Sequence, residues 1–145
     1  MAWTYQGKEI KSHDDLFPET TDFVYELEFT DGTKYIGKKT VRSIRRLKPT
    51  KEQLAIRKNY VRKELKNSPF INYEGSSEEN KGKVIKSKTI LYQSSNKKTA
   101  SYIEVALLFM NEVLFTDKYT NKNISGVWYD NSLDGLLGEE NGNRD

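Results

Sequence analysis

The chain has 145 residues, no cysteine, a single histidine and a formal net charge of +3. The lack of cysteine excludes disulfides, thiolate metal sites and cysteine nucleophiles, and His13 alone cannot form a two-histidine metal site within one chain. No apolar run approaches the roughly 20 residues of a membrane span, and the N-terminus lacks a signal-peptide pattern. These features predict a single soluble domain in the cytoplasm.

The small net charge conceals an uneven distribution along the chain. Residues 34–67 contain 13 basic and 2 acidic residues, a net charge of +11, and residues 81–98 add +6. The two ends are acidic, with −6 over residues 1–33 and −5 over residues 99–145. A segment as basic as residues 34–67 favours contact with a polyanion such as nucleic acid, although a solvated basic surface gives the same pattern.

The first third of the chain predicts strands. Residues 1–20 mix aromatic and polar positions and indicate a short strand or an extended arm. Residues 23–29 alternate, so that Phe23, Tyr25, Leu27 and Phe29 share one face, which is typical of a strand. The Asp31-Gly32 dipeptide predicts a tight turn, and residues 34–37 predict the returning strand of a hairpin.

The basic middle of the chain predicts mainly helix. Val41, Ile44 and Leu47 have helical spacing, and Pro49 ends that pattern. Thr50 is expected to cap a helix from residue 51 to about 65. Residues 75–82 indicate a loop, and residues 84–92 alternate weakly, as expected for a further strand.

The strongest helix signal covers residues 101–115, which are apolar on nearly all sides and predict a central, buried helix. Ser101 and Glu104 have the spacing of a capping box. The Glu104 carboxylate therefore has two interpretations: it caps the helix, or it points into a cleft and binds a divalent cation. Beyond residue 130 the chain is rich in Gly, Asn and Glu, which predicts a flexible tail.

Two further sets of side chains have both a structural and a chemical interpretation. Tyr25 and Tyr35 lie on the paired strands of the predicted hairpin, where tyrosine commonly packs across strands, but their hydroxyls could also meet a phosphate. Guanidinium groups bind phosphate bidentately. The arginines that follow the hairpin form either a phosphate-binding group or an exposed basic face; they are Arg42, Arg45 and Arg46.

In this order, these residues resemble the GIY-YIG nucleases. The resemblance rests on Tyr25 in Phe23-Val24-Tyr25, Tyr35 in Tyr35-Ile36-Gly37, Arg45 ten residues later, Glu104 in the apolar helix, and Asn121 after it. It covers roughly residues 3–128 and is greatest with small phage-encoded members of the family. The first tripeptide departs from the family pattern because Phe23 stands in place of glycine.

The resemblance implies an α+β fold with a small central antiparallel sheet flanked by helices. Residues 1–130 would form the nuclease domain with its N-terminal arm, and residues 131–145 the flexible tail. The implied activity is metal-dependent hydrolysis of phosphodiester bonds in DNA. The implied DNA contacts are Lys38, Lys39, Arg42, Arg46, Arg57, Lys58 and Arg62.

The resemblance also implies the catalytic residues, which are Tyr25, Tyr35, Arg45, Glu104 and Asn121. Glu104 would hold one Mg²⁺ or Mn²⁺ ion. Arg42 or Arg46 could take the role of Arg45, and Asn123 that of Asn121.

Two other functions compete with this hypothesis. The same fold could bind DNA without cleaving it, or the chain could be a phage protein that binds and inhibits a host factor. A homo-oligomer would supply two active sites for cleavage of both strands. A phage-encoded protein of this kind would act in the host cytoplasm.

Overall fold

A computed structural model describes residues 1–138, which form one small α+β domain. Short 3₁₀ turns lie at residues 13–15, 78–80, 113–115 and 130–132. The strands and helices in chain order are β1 (Trp3–Tyr5), β2 (Lys8–Ile10), β3 (Asp22–Phe29), β4 (Lys34–Thr40), β5 (Arg42–Leu47), α1 (Lys51–Ile56), β6 (Arg62–Asn67), β7 (Ile85–Ser94), α2 (Lys97–Met110), β8 (Asn123–Ile124) and β9 (Trp128–Tyr129).

The main sheet has five strands in the order β2-β1-β7-β3-β4. All neighbours pair antiparallel except β1 and β7, which are parallel. The predicted N-terminal strand is therefore real, and it lies inside the sheet beside β2 rather than as a separate arm. Two-stranded pairs β5-β6 and β8-β9 lie apart from this sheet. β4 is thus an edge strand, which matters for the site described below.

The predicted hairpin of residues 23–37 is confirmed as β3 and β4. Its turn is held by Asp31, whose Oδ1 accepts from the backbone N–H of Thr33 at 2.9 Å, while Gly32 takes a left-handed φ of +90°. The predicted alternation in β3 is confirmed too, since Tyr25 and Leu27 are buried in one core cluster and Val24 in another.

Two hydrophobic layers cover the two faces of the sheet. On the first face, aromatic side chains pack around Trp3, whose indole N–H donates to the carbonyl oxygen of Phe70 at 3.0 Å. On the second face, α2 packs through Ala100 and Leu108 against Val24 and Ile36. Val113 and Ile124, which follow α2, complete this second cluster. The sheet therefore separates a mainly aromatic layer from a mainly aliphatic layer.

The prediction of a helix from residue 51 to about 65 is correct only for its first turns. Thr50 does cap a helix, in a capping box with Gln53, but α1 ends at Ile56 and residues 62–67 form β6. The helical spacing of residues 41–47 is misleading as well, because residues 42–47 form β5. Ile44 and Leu65 are cross-strand partners, so the apolar residues stabilise a strand pair instead of a helix face.

The second predicted helix exists, but its bounds and burial differ from the expectation. α2 begins at Lys97 because Asn96 caps it, accepting from the N–H of Lys98 at 2.8 Å. Ser101 is therefore inside the helix, and Glu104 lies a further turn along. The helix ends at Met110 and is not central: Tyr102 and Met110 are each 77% exposed, since only one side of the helix meets the sheet.

No helix among residues 1–138 is long and apolar enough to cross a membrane. Part of the predicted flexible tail, residues 139–145, lies outside the described residues.

Candidate functional site

A cavity of about 260 Å³ opens beside the edge strand β4. Because β4 has no further strand of the main sheet on its outer side, side chains from both faces of the sheet can meet there. Tyr35 reaches the cavity from the aromatic face, and Glu104 reaches it from α2 on the other face. Further polar side chains of the cavity wall are Ser77, Glu79, Asn121 and Lys122.

Tyr25 lies behind Tyr35 and is almost completely buried. Its ring centroid is 5.3 Å from that of Trp3, 6.0 Å from that of Tyr73 and 6.3 Å from that of Tyr35. Burial raises the pKa of the Tyr25 hydroxyl well above its usual range, and the neighbouring Tyr73, Tyr35 and Glu104 raise the pKa further. The Tyr25 hydroxyl is therefore a neutral group that can donate and accept hydrogen bonds.

Gly37 lies directly opposite Tyr25 in the β3-β4 register, and its lack of a side chain makes room for the tyrosine ring. A Cβ atom at residue 37 would be 2.5 Å from the Tyr25 Oη atom and 3.0 Å from Cε1 of Tyr35. The first distance is too short for the Tyr25 ring to stay in place, and the second would require Tyr35 to shift slightly. The glycine of the Tyr35-Ile36-Gly37 motif is thus required by the packing of the two tyrosines.

The substitution Gly37→Ala tests this packing. We expect it to lower the free energy of unfolding by about 1–3 kcal/mol, the usual effect of overpacking, and to alter the near-ultraviolet circular dichroism of the tyrosines. Gly7→Ala is the control for backbone strain without overpacking: its added Cβ meets no atom within 4 Å, but its positive φ of +82° should cost about 1 kcal/mol and leave the tyrosine spectrum unchanged. A Gly37→Ala protein as stable as the wild type, with an unchanged spectrum, would contradict the assignment.

Tyr35 contacts the loop of residues 75–82, for whose side chains no role at the site was predicted. Burial raises the pKa of Tyr35, a hydrogen bond with Ser77 opposes that rise, and the nearby Glu104 and Glu79 carboxylates add to it. The Ser77 hydroxyl in turn donates to the Glu79 carboxylate. Residues 77 and 79 lie in the predicted loop 75–82, and their approach to Tyr35 depends on contacts distant in sequence.

The Glu104 carboxylate is partly buried at the wall of the cavity. Loss of hydration raises the pKa of Glu104, and the positive charge of Lys38 acts in the opposite direction. Lys38 is itself positioned by α2, since its ammonium donates to the Ser101 hydroxyl at 2.6 Å. The predicted capping box of Ser101 and Glu104 is therefore wrong: Ser101 holds a lysine, and Glu104 faces the cavity.

Asn121 completes the edge of β4 in place of a paired strand. Its side-chain oxygen accepts from the backbone N–H of Ile36 at 3.2 Å, and its amide nitrogen donates to the carbonyl oxygen of Ile36 at 2.9 Å. The chain before it also pairs with β4, because the N–H of Thr120 donates to the carbonyl oxygen of Lys34 at 2.8 Å. The alternative residue, Asn123, lines the same cavity but is exposed.

Replacing Asn121 by alanine should therefore act on stability. Two buried backbone groups of Ile36 would lose their partners, so we expect a decrease of about 2 kcal/mol in the free energy of unfolding, measured by urea denaturation. Asn123→Ala is the matched control: its side chain accepts only an exposed hydrogen bond from the Gly126 N–H at 3.1 Å, so its loss should cost about 1 kcal/mol or less. Equal effects of the two substitutions would show that the Ile36 contacts are not what Asn121 contributes.

The arginines predicted for the site lie elsewhere. Arg45 is on β5, where it is exposed and forms an ion pair with Glu64 at 3.6 Å. Arg42 is buried, and its guanidinium donates to the carbonyl oxygens of residues 13, 17, 18 and 20 and to Asn67, so it anchors the chain. Four further predicted DNA contacts are exposed and do not line the cavity. Arg46 and Arg62 are on β5 and β6, and Arg57 and Lys58 lie between α1 and β6.

The donors available to a metal at the cavity are oxygen atoms. Within residues 1–138, no cluster of three or more His, Cys, Asp or Glu side chains could hold a metal ion by itself. The cavity has the carboxylates of Glu104 and Glu79 in its wall. Such a set suits a hard cation that keeps part of its water shell, and it lacks the Cys and His ligands typical of a structural zinc site.

Comparison with known proteins agrees with this arrangement. Residues 3–132 match the family model described as "Putative endonuclease segE, GIY-YIG domain". No curated protein and no solved structure matches the chain. The matched region covers both tyrosine strands, α2 and the Asn121 segment, and the fold around them is α+β, as that family requires. The chain is therefore a member of the GIY-YIG endonuclease family.

Proposed function

We propose that the chain is a metal-dependent DNA endonuclease that hydrolyses phosphodiester bonds at the cavity beside β4. The observation that carries this proposal is the meeting of Tyr35 and Glu104, from opposite faces of the sheet, at one polar cavity with Tyr25 directly behind it. The family assignment supports the reaction class, and the basic residues 34–67 suit a DNA substrate.

Glu104 is the residue we propose as the metal ligand, with Mg²⁺ or Mn²⁺ as the ion. Its carboxylate is a hard oxygen donor in a cavity that has space for water and phosphate beside it. When bound, the ion would supply Lewis-acid stabilisation of the negative charge that develops on the phosphate and on the leaving 3′ oxygen.

The two tyrosines would position the reacting groups through neutral hydroxyls. Burial keeps the pKa values of Tyr25 and Tyr35 above the ordinary range, which suits hydrogen bonding to water or to a phosphate oxygen. Asn121 would act indirectly, because its side chain fixes the backbone of Ile36 between Tyr35 and Gly37.

A positive charge is needed beside the phosphate, and we propose Lys38 for this role in place of Arg45. Lys38 is bonded to Ser101 and acts electrostatically on Glu104, whereas Arg45 is paired with Glu64 on a separate strand pair. A lysine is a point charge without the bidentate geometry of arginine, but it offsets the same developing charge.

Incubation of supercoiled plasmid with the purified protein tests the function. With Mg²⁺ or Mn²⁺ we expect nicked circles, and linear product if two subunits act together. With EDTA the plasmid should remain supercoiled. Retention of the supercoiled form under all three conditions, with DNA bound, would identify a DNA-binding module that does not cleave.

A further inference from the structure

Residues 42–67, which we call the basic arm, lie between the end of β4 and Phe70, the next residue of the hydrophobic core. The arm consists of β5, α1 and β6. The arm contains 10 basic and 2 acidic residues, a net charge of +8, whereas the whole chain carries only +3. The rest of the protein is therefore acidic on balance, and the arm is its principal surface for an anionic partner.

The root of the arm is fixed to the body. Val41 donates its N–H to the carbonyl oxygen of Thr21 at 2.8 Å and accepts from the N–H of Ser68 at 2.9 Å. Arg42 adds its guanidinium bonds, two of them to the carbonyl oxygens of His13 and Phe17 at 2.8 Å. β4 connects the cavity to the arm, because it carries Tyr35 and Ile36 at the cavity and ends at Thr40, one residue before the root.

Beyond the root, the arm is exposed. All six residues of β6 are exposed and α1 has no buried residue. In the described part of the chain, β5 and β6 pair with each other and with no other strand. The cross-strand partners Ile44 and Leu65 are 55% and 42% exposed, respectively. An isolated two-stranded ribbon with exposed apolar side chains is marginally stable in water and gains from a partner.

Both faces of the ribbon carry cations. Arg46 is directly opposite Lys63 on one face, and on the other face Arg62 is opposite Leu47 and Lys66 opposite Ser43. The Arg46 and Lys63 charges repel in the free protein, so an anion between or beside them would relieve the repulsion. An acidic protein surface would neutralise one face, whereas a groove lined by phosphates on its two sides would neutralise both.

We propose that the basic arm inserts as a two-stranded ribbon into the major groove of duplex DNA and so presents a phosphate to the cavity. The major groove of B-form DNA is wide enough for a two-stranded ribbon, and its two borders are phosphate backbones. The presentation of a phosphate to the cavity rests on the proposed nuclease function. Binding of duplex DNA by the arm does not, and it is measured without cleavage.

The first test compares two triple variants in EDTA, where no cleavage occurs. The arm variant is Arg46→Gln/Arg62→Gln/Lys63→Gln, and the control variant is Lys8→Gln/Lys11→Gln/Lys118→Gln, which removes three exposed charges from the body. Fluorescence anisotropy with a labelled duplex should show about tenfold or more weaker binding for the arm variant. The slope of log K against log salt should also fall by about 2 to 3. The control variant should bind like the wild type, and equal binding by both variants would overturn the proposal.

A second measurement tests the groove itself. Protein bound through the arm should protect guanine N7 atoms, which lie in the major groove, from methylation by dimethyl sulfate. The arm variant should lose this protection at concentrations that restore binding. Full N7 reactivity under the bound wild-type protein would overturn groove insertion, as would equal affinity for duplex RNA, whose major groove is too narrow for side-chain access.

The two proposals fail in different ways. If the wild type binds the duplex through the arm and never nicks plasmid, the nuclease proposal fails and the arm proposal stands. If the wild type nicks plasmid and the arm variant binds and nicks equally well, the arm proposal fails and the nuclease proposal stands. Circular dichroism of both triple variants confirms folding, which the exposure of all six substituted side chains leads us to expect.

Discussion

Glu104→Gln should reduce the rate of metal-dependent nicking by at least about 100-fold, the upper range for loss of a group that only supports a metal ligand. Glutamine has the same shape as glutamate but lacks the negative charge that a divalent cation requires. The rate of conversion of supercoiled plasmid, measured with saturating Mg²⁺, checks this expectation. Glu112→Gln is the matched control: Glu112 is an exposed residue just beyond the end of α2 and should be dispensable.

The stability of the same variant separates a catalytic from a structural role. Loss of hydration raises the pKa of Glu104, so at neutral pH the charged carboxylate is less favourable in the folded than in the unfolded state. Removing the charge should therefore leave the free energy of unfolding unchanged or slightly higher. If the carboxylate were structural, Glu104→Gln would lower the free energy of unfolding. Activity would then be lost only because the protein unfolds.

Calorimetric titration with Mn²⁺ gives a readout of the metal that does not depend on cleavage. We expect the wild type and Glu112→Gln to bind the ion, and Glu104→Gln to show no binding at the same concentrations. Retention of nicking and of metal binding by Glu104→Gln would contradict the assignment of Glu104 as the ligand.

The tyrosine hairpin was predictable from the sequence because its signals are local. The alternation in residues 23–29 and the turn at Asp31 each lie within a few residues, and they agree with the observed register. The requirement for glycine at position 37 is local too, since residue 37 lies opposite Tyr25 once the hairpin has formed. The family resemblance selected the same residues independently.

The basic arm was mispredicted because the three-residue spacing of Val41, Ile44 and Leu47 has the period of a helix, although in β5 it places Ile44 and Leu47 on opposite faces of the strand pair. A helix of residues 51–65 needs a surface to cover its apolar side, and the body provides none there. Cross-strand pairing of Ile44 with Leu65 satisfies the backbone without such a surface. Arg45 was selected by the family resemblance, from its position ten residues after Tyr35, and the structure places it on β5, where it pairs with Glu64 at 3.6 Å.

The contacts between the loop of residues 75–82 and Tyr35 were not predicted from the sequence. Ser77 and Glu79 approach Tyr35 only because the loop is fixed by distant residues, among them Lys88, whose buried ammonium donates to the carbonyl oxygens of Ile71 and Tyr73 at 3.0 and 2.9 Å. Asn121 was selected by family resemblance, but its hydrogen bonds to Ile36 depend on the path of the chain after α2. Long-range contacts of this kind leave no periodic pattern.

Tyr25→Phe should reduce nicking by about 100-fold, within the range for loss of one positioned hydroxyl in proton transfer or orientation. The phenyl ring keeps its contacts with Trp3 and Tyr73, so packing is preserved. The hydroxyl's hydrogen bond with Tyr73 is lost, which should lower the free energy of unfolding by only about 0.5–1.5 kcal/mol. Plasmid nicking and urea denaturation of the same preparation measure the two effects.

Tyr73→Phe is the control that makes this prediction specific. It removes the same Tyr25–Tyr73 hydrogen bond from the other side and leaves the Tyr25 hydroxyl in place. If the Tyr25 hydroxyl orients the attacking water or the phosphate, Tyr73→Phe should retain most of the activity while losing a similar amount of stability. Equal loss of activity in both variants would assign the effect to the hydrogen-bonded pair. Activity of Tyr25→Phe within about threefold of the wild type would remove Tyr25 from the reacting groups and leave Tyr35 as the tyrosine that faces the substrate, a change worth less than about 1 kcal/mol in the barrier.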